Sequence, residues 1–333
     1  MTHEHKKGKR KDAQKEKAVE KKEKEKIKTE EKSTKPETEY VKPKYGSSLM
    51  FPYQKVWSRS IVILAILFIV WYNSKDGKEI SLALQKDILI SRQQNVDCSD
   101  SYKGEMDKFP GCMPEKCARI VTDKLVSATE TDVLLKLAIN GMNLGGSDGG
   151  ASILDLHSGA LSKGPGFMNL YDMKEAKEIF NNADFAIYKV VKTKIQHAIA
   201  HHFGVDSDKI YLTKPTFFSR ITNLPAKTIH DEYWHPHVDK VTYESFHYTS
   251  LLYLNDFNKD FKGGRFLFVN KHSANATIEP RKGRVSMFTS GAENVHMVEK
   301  VTSGTRYALT VSFTCDKKFA ISDPRLPIDP KQT

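Results

Sequence analysis

The stretch YWHPHVDK, Tyr233 to Lys240, sets His237 and Asp239 two positions apart. On a β-strand residues i and i+2 share a face, so both side chains can point at one ion. His296 follows 59 residues later in ENVHMVEKV, and Arg306 ten residues after that in GTRYALTV. Two imidazoles and one carboxylate are the facial donor set of a non-heme Fe(II) centre, which leaves three positions on the metal for a co-substrate and dioxygen. Arg306 predicts the charge of that co-substrate. On its strand Ala308, Thr310 and Ser312 share its face, while Tyr307, Leu309, Val311 and Phe313 point to the core. A guanidinium among small, partly polar residues makes a pocket for a dicarboxylate, because Arg grips a carboxylate bidentately.

Other histidines compete for the same metal. His235 is two residues before His237, but side chains at i, i+2 and i+4 do not easily reach one metal face. His247 and His272 fall in or beside expected turns and edges, where an exposed or satisfied ring is the rule. His197, His201 and His202 lie near a helix end with no acidic partner at ligand spacing.

The elements that must position these residues change period along the chain. After Lys209 short runs of period 2, among them YTSLLYLN, RFLFVN, RVSMFTS and YALTVSFTC, are separated by turn signals such as Gly263-Gly264 and Ser303-Gly304. They predict an antiparallel β module of about 110 residues with helices packed outside it. Upstream, one helix is expected around Thr129 to Asn143. A longer one is expected to open with Asp172 and Glu175 as a capping box, to bury Ile187, Val190, Val191, Ile195, Ala198, Ile199 and Phe203, and to stop at Gly204. Between them Gly145 to Gly150 lacks the Lys-Ser/Thr of a phosphate loop and is expected to be a flexible connection. Residues 73–120 are expected to form a stem and a Cys-containing loop.

The +11 net charge is unevenly spread: residues 1–60 hold 18 Lys and Arg against 10 Asp and Glu, and the remaining 273 residues hold 34 against 31. A nucleic-acid-binding fold is therefore not expected, since the domain-sized part has no general field for phosphates. Residues 1–45 contain only eight apolar side chains, too few to offset the entropy of ordering, and are expected to be disordered. From Ile61 to Tyr72 the chain reads IVILAILFIVWY, with Trp57 and Arg59 before it and Asn73 after it. Aromatic belts and a snorkelling Arg59 let Val56 to Tyr72 serve as a transmembrane signal anchor. Lys and Arg counts in the two twenty-residue flanks are equal, so the Lys-rich tail sets the expected orientation, N-terminus in the cytosol. All four cysteines, Cys98, Cys112, Cys117 and Cys315, follow the anchor, as does the one sequon, Asn275-Ala276-Thr277. Two disulfides, in any of three pairings, and a glycan at Asn275 both fit a lumenal, oxidising compartment of the endoplasmic reticulum or Golgi.

The order and spacing of HPHVD, SLLYLND, FKGGRFLFV, IEPRKGRVSMF, VHMV and TRYALTVSF resemble the prolyl hydroxylase branch of the 2-oxoglutarate and Fe(II)-dependent oxygenases, over about Leu224 to Cys315. The resemblance implies an α+β fold: a double-stranded β-helix (jelly roll) oxygenase core with flanking helices, preceded by a disordered tail and one transmembrane helix. The expected parts are 1–55 tail, 56–72 anchor, 73–120 stem, 121–208 helical part, 209–318 oxygenase core and 319–333 C-terminal tail. It further implies that His237, Asp239 and His296 hold Fe(II), that Arg306 pairs with 2-oxoglutarate, and that Tyr253 adds its hydroxyl to the same carboxylate. Trp234 stands where relatives carry a Tyr; it can wall the pocket but offers no phenol. Arg265 stands where collagen-type relatives have an acid. The implied reaction consumes dioxygen and 2-oxoglutarate, releases succinate and CO2, hydroxylates a protein or peptide substrate, with peptidyl proline the first choice, and draws on L-ascorbate as reductant. Two other readings are carried beside it: a membrane-anchored interaction protein on an inactive oxygenase fold, and a glycosyltransferase using Asp206-Ser207-Asp208 as a DxD.

Overall fold

The computed structural model describes residues 53–73, 79–270 and 274–325. The tail expected over 1–55 therefore falls almost wholly outside the described residues, as do His272 and residues 326–333. The chain divides into two units, the first ending at Phe68. Helix α1, Gln54–Asn73, is 20 residues long and is the one described helix long and apolar enough to cross a membrane. At 1.5 Å per residue it spans about 30 Å, the thickness of a bilayer's hydrocarbon core.

The second unit is built on fourteen described strands: β1 Ile80–Ala83, β2 Arg92–Val96, β3 Cys117–Thr122, β4 Ala151–Leu154, β5 Ala160–Lys163, β6 Gly166–Asn169, β7 Tyr211–Thr222, β8 Tyr248–Tyr253, β9 Phe261–Gly263, β10 Phe266–Phe268, β11 Ala276–Ile278, β12 Val285–Thr289, β13 His296–Val298 and β14 Val301–Thr314. Two sheets result. The larger runs β2-β3-β12-β8-β14-β7-β4-β5-β6 with β9 on the end of β14; the smaller runs β1-β11-β10-β13. The jelly roll expected from the sequence is present.

Alternation along the central strands shows what each sheet face covers. Ile120, Leu252, Met287, Leu309, Val311 and Phe313 enter the large core beneath helices α2, Ala128–Met142, and α3, Asn182–Phe203. Their neighbours Val121, Leu251, Tyr253 and Phe288 face the other way and meet Phe266 and Phe268 of the small sheet. A sheet buried on both faces needs near-continuous apolar strands, and β8, YTSLLY, is buried throughout. The face division expected for β14 holds: Arg306 and Thr310 line the cavity between the sheets, and Leu309, Val311 and Phe313 fill the core.

Local expectations fare unevenly. Helix α2 begins at a capping box of Ser127 and Glu130, within a residue of its expected start. Helix α3 begins nine residues later than expected. Asp172 ends a 3-10 turn and Glu175 precedes a single helical turn, Ala176–Ile179; the working capping box is Asn181 with Asp184, because Phe180 and Asn181 are extended and break the path. Gly204 closes α3 in the left-handed region at φ 66°. Val190 is 44% exposed, since the buried stripe runs through Phe185, Tyr188, Val191, Ile195 and Ile199 instead. The expected stem over 73–120 contributes β1, β2 and the start of β3, and the expected helical part over 121–208 contains β4, β5 and β6. Partner strands far along the chain order these short runs: β1 pairs β11, and β3 pairs β12.

The N-terminal strands are held by a buried charge and by sulfur. Arg284 is fully buried, gives two hydrogen bonds to Asp123 at 2.8 and 3.0 Å, and reaches the carbonyls of Leu84, Asp87 and Glu279. The four cysteines pair as Cys98–Cys117 and Cys112–Cys315, which settles the three open pairings. Cys112–Cys315 joins residues 203 apart, so it removes much freedom from the unfolded chain. Replacing both cysteines of this pair with serine should lower unfolding stability by about 2–5 kcal/mol, read from denaturant unfolding under oxidising conditions.

Candidate metal centre

The backbones of His237 and His296 bind each other. His237 N donates to His296 O at 2.9 Å and His296 N donates to His237 O at 3.0 Å, forming an isolated antiparallel bridge. His296 opens β13, which pairs with β10. Asp239 arrives differently from the expected shared strand face. Val238 is extended, and Asp239 then begins a helical turn, Asp239–Thr242, so a turn and not the pleat brings its carboxylate back towards both rings. Asp239 Oδ1 lies 3.6 Å from His237 Nε2 and 3.5 Å from His296 Nε2. One ligand atom from each residue falls within 4.8 Å of the others, a grouping able to hold one metal ion.

Each donor is oriented from behind. His237 Nδ1 is 3.0 Å from the carbonyl of His235, and His296 Nδ1 is 2.8 Å from that of Asn294. A carbonyl only accepts, so Nδ1 carries the proton in both rings and Nε2 keeps its lone pair for a metal. Thr249 Oγ1 donates to Asp239 Oδ2 at 2.6 Å and lies 2.8 Å from Ser290 Oγ. Phe266 stacks on the His296 ring at 5.1 Å and Phe288 meets it at 5.0 Å. Burial and the neighbouring His296 push the pKa of His237 down, towards the neutral ring a metal needs. For Asp239 burial acts upward but is outweighed by His296 and the Thr249 hydroxyl, which hold it below the ordinary carboxylate value. His296 is the reverse: burial acts downward, and Asp239 outweighs it and raises the ring above 6.5. The donor set fits a divalent ion, and metal and proton compete for Nε2 of His296.

Both sheets open onto a cavity of about 480 Å³ that contains the three donors and Arg306. Arg306 is wholly buried. Its Nε donates to Gly264 O at 3.0 Å, and its Nη2 has no hydrogen-bond partner among the described residues. Leaving a buried cationic donor unpaired is costly, so the geometry calls for an anion in this cavity. Gly264 makes room for the guanidinium stem: at φ 67°, a Cβ there would lie 3.0 Å from Arg306 Cδ and 2.9 Å from Val301.

The remaining expected residues scatter. Tyr253 is buried beside Arg306, whose guanidinium carbon is 5.5 Å from the ring; its hydroxyl is 3.3 Å from Ser286 Oγ, and it does not line the cavity. Trp234 does not line it either, and carries Lys300 Nζ 3.9 Å over its ring. Its neighbour Tyr233 does line the cavity, and its hydroxyl accepts from Val301 N at 2.9 Å. Arg265 is engaged by Glu299 and Glu79 outside the cavity. His235 is exposed and pairs with Glu232 at 2.8 Å. His247 is buried, 3.2 Å from Glu105. Asp206 and Asp208 are exposed, and Asp206 pairs with Lys209 at 3.1 Å in a single 3-10 turn. Asn275 Oδ1 accepts from Asn270 N at 3.1 Å, and Thr277 is buried in β11 between β1 and β10. A glycan at Asn275 would have to be attached before β11 pairs.

Fold and donor set are those of the iron-dependent oxygenase fold, and the chain belongs to the 2OG-Fe(II) oxygenase superfamily, whose family model matches residues 225–314. It is 54% identical over 245 residues to the 2-oxoglutarate and iron-dependent oxygenase domain-containing protein 3 of Xenopus tropicalis, covering 73% of this chain and 77% of that one. To the Homo sapiens protein of the same name it is 49% identical over 283 residues, 83% and 88% of the two chains. Over 71 residues it is 45% identical to prolyl 3-hydroxylase 2 of Homo sapiens, 21% of this chain and 10% of that protein. The DxD reading as a glycosyltransferase is thereby overturned.

Two outcomes test the geometry. Thr249→Val should weaken Mn(II) binding by about 10–100-fold, as loss of a hydrogen bond to a metal ligand typically does, measured by metal titration of the purified chain. Because the His296 proton competes with the metal from a raised pKa, apparent Mn(II) affinity in the wild type should keep climbing as pH rises past 6.5.

Proposed function

We propose that the chain is a membrane-anchored dioxygenase that uses Fe(II), 2-oxoglutarate and dioxygen to hydroxylate a protein or peptide, releasing succinate and CO2. The observation that carries it is Arg306, a buried guanidinium with an unpaired Nη2 on the same cavity as His237, Asp239 and His296. Bound by the three donors, iron would supply the activation of dioxygen; the chain's own part is to bind, orient and exclude water. Arg306 pairs with the distal carboxylate of 2-oxoglutarate, and Gly264 O keeps the guanidinium aimed. Tyr233 offers its phenol from the facing wall, and Tyr253 backs the guanidinium through its ring. Phe217, Ile221 and Phe266 give the cavity an apolar lining suited to an uncharged side chain. The likeness to a prolyl 3-hydroxylase makes peptidyl proline the substrate of choice. L-ascorbate is the reductant that the family implies.

In this reading α1 anchors the chain with its N-terminal tail in the cytosol and the catalytic unit in the lumen of the endoplasmic reticulum or Golgi. Pairing of all four cysteines supports an oxidising compartment.

The full chain, purified in detergent, should convert 2-oxoglutarate to succinate in an Fe(II)-dependent manner. His237→Ala should abolish turnover, and Arg306→Ala should raise KM for 2-oxoglutarate by about 100-fold or more. Absence of turnover in the wild type, or turnover indifferent to both substitutions, contradicts the assignment and leaves an interaction protein on an oxygenase fold.

A further inference from the structure

One wall of the cavity is a strap of chain, 224–235, which contributes Ile229, His230, Glu232, Tyr233 and His235 to the lining. Little of its own packing holds it. Ile229 is 79% exposed and Leu224 54% exposed, and its only described helical structure is the 3-10 turn Ile229–Asp231. Its fixed point is Asp231, a carboxylate 2% exposed. Asp231 Oδ1 accepts the Ser147 hydroxyl at 2.5 Å; Oδ2 accepts Thr228 N at 2.9 Å, Thr228 Oγ1 at 3.1 Å and Lys227 N at 3.1 Å.

Ser147 belongs to the glycine-rich loop 145–150, which the sequence leaves as a connection without a task. Far from loose, that loop packs its Gly145 and Gly146 against Leu161 and Arg220 and its C-terminal half against the strap. A Cβ on Gly149 would fall 2.2 Å from Asp231 Oδ2, and one on Gly150 2.7 Å from Leu224 O. Ser147 Oγ accepts Gly149 N at 3.0 Å, and Ser147 N donates to Ser152 Oγ at 3.0 Å. Ser152 lies in β4, whose residues 151–153 line the same cavity. The loop thus ties the strap to a rigid strand on the neighbouring wall. Burial acts to raise the Asp231 pKa, but the four hydrogen bonds outweigh it and keep the carboxylate ionised.

We propose that loop 145–150 is a clasp: by gripping Asp231 it fixes the strap as a wall of the co-substrate cavity and holds Tyr233 in place against Val301. Ser147, Gly149 and Asp231 are positioning residues that touch no reacting atom. The inference rests on the oxygenase reading for its consequence, and on geometry alone for the clasp itself.

The test perturbs the joint from both sides in the full chain in detergent. Ser147→Ala removes a hydroxyl, Gly149→Ala pushes a methyl into the carboxylate, and Ser147→Thr keeps the hydroxyl. Hydrogen exchange is followed at the strap amides, with Lys227 and Thr228 as the donors to Asp231 and the α3 amides of Ile195 and Ile199 as an internal reference. In parallel, 2-oxoglutarate is titrated calorimetrically into the Mn(II)-loaded chain. Ser147→Ala and Gly149→Ala should each speed strap exchange by roughly tenfold or more with the reference unchanged, and weaken 2-oxoglutarate binding several-fold while Mn(II) affinity stays within about twofold. Ser147→Thr should restore both. Strap exchange like the wild type in both variants, or faster exchange with 2-oxoglutarate affinity untouched, overturns the clasp. Failure of the wild type to bind 2-oxoglutarate would instead sink the oxygenase reading, and the exchange arm would still judge the clasp.

Discussion

Two imidazoles and a carboxylate have to be kept within 4.8 Å of one another in a largely buried site, and the rest of the structure follows from that constraint. Among the three side chains only the attraction of Asp239 for the two rings favours the arrangement; burial disfavours the ionised forms, and the His237 and His296 rings repel when protonated. The backbone supports the arrangement by pairing His237 with His296 through two hydrogen bonds, which sets the two rings side by side. Carbonyls at His235 and Asn294 then set both rings to the same tautomer, and Thr249 pins the carboxylate. Asn294 is itself held, by Arg119 Nε at 2.7 Å and by its own bonds to Thr289. Orientation at the metal therefore depends on a chain of buried polar contacts reaching back to β3.

That dependence explains why so much of the chain is spent on a two-faced sheet. The strands that carry Thr249, Arg306 and the wall of the cavity are central ones, covered on the outer side by α2 and α3 and on the inner side by the small sheet. A side chain on such a strand has few alternative positions, which suits a guanidinium that must wait in a buried cavity for its anion. The rim is different. The strap over 224–235 and the turn after Asp239 present exposed Ile229 and Val241, and they are held by a small number of polar joints. On the proposed reading, a firmly packed floor and a jointed rim suit a site that binds a small co-substrate deeply and a macromolecule at its mouth.

The grouping of His237, Asp239, His296 and Arg306 on one cavity was legible in the sequence because the chemistry sought fixes residue type as well as spacing, and the period of β14 assigns its faces. Local geometry was less legible. A His-x-Asp spacing is compatible with a strand or with a strand that breaks into a helical turn, and only the bridge to His296 decides between them. Tyr233 and Trp234 are neighbours of similar size, and which of them faces the cavity depends on the path the strap takes to Asp231. The strands before residue 122 were missed because their partners lie far away in sequence: β1 needs β11, and β3 needs β12. The start of α3 was missed for the opposite reason, since two capping signals lie close together and only the extended Phe180 and Asn181 show which one works.

If one cavity holds both the metal donors and the anion site, iron and 2-oxoglutarate must influence each other's binding. Anaerobic equilibrium dialysis of Fe(II) against the full chain, with and without 2-oxoglutarate, measures this directly. One iron per chain is expected, bound roughly 5- to 150-fold more tightly when 2-oxoglutarate is present, with the enhancement lost in Arg306→Ala while iron itself is retained. Iron binding that ignores 2-oxoglutarate, or that survives replacement of Asp239 by alanine, would contradict that expectation.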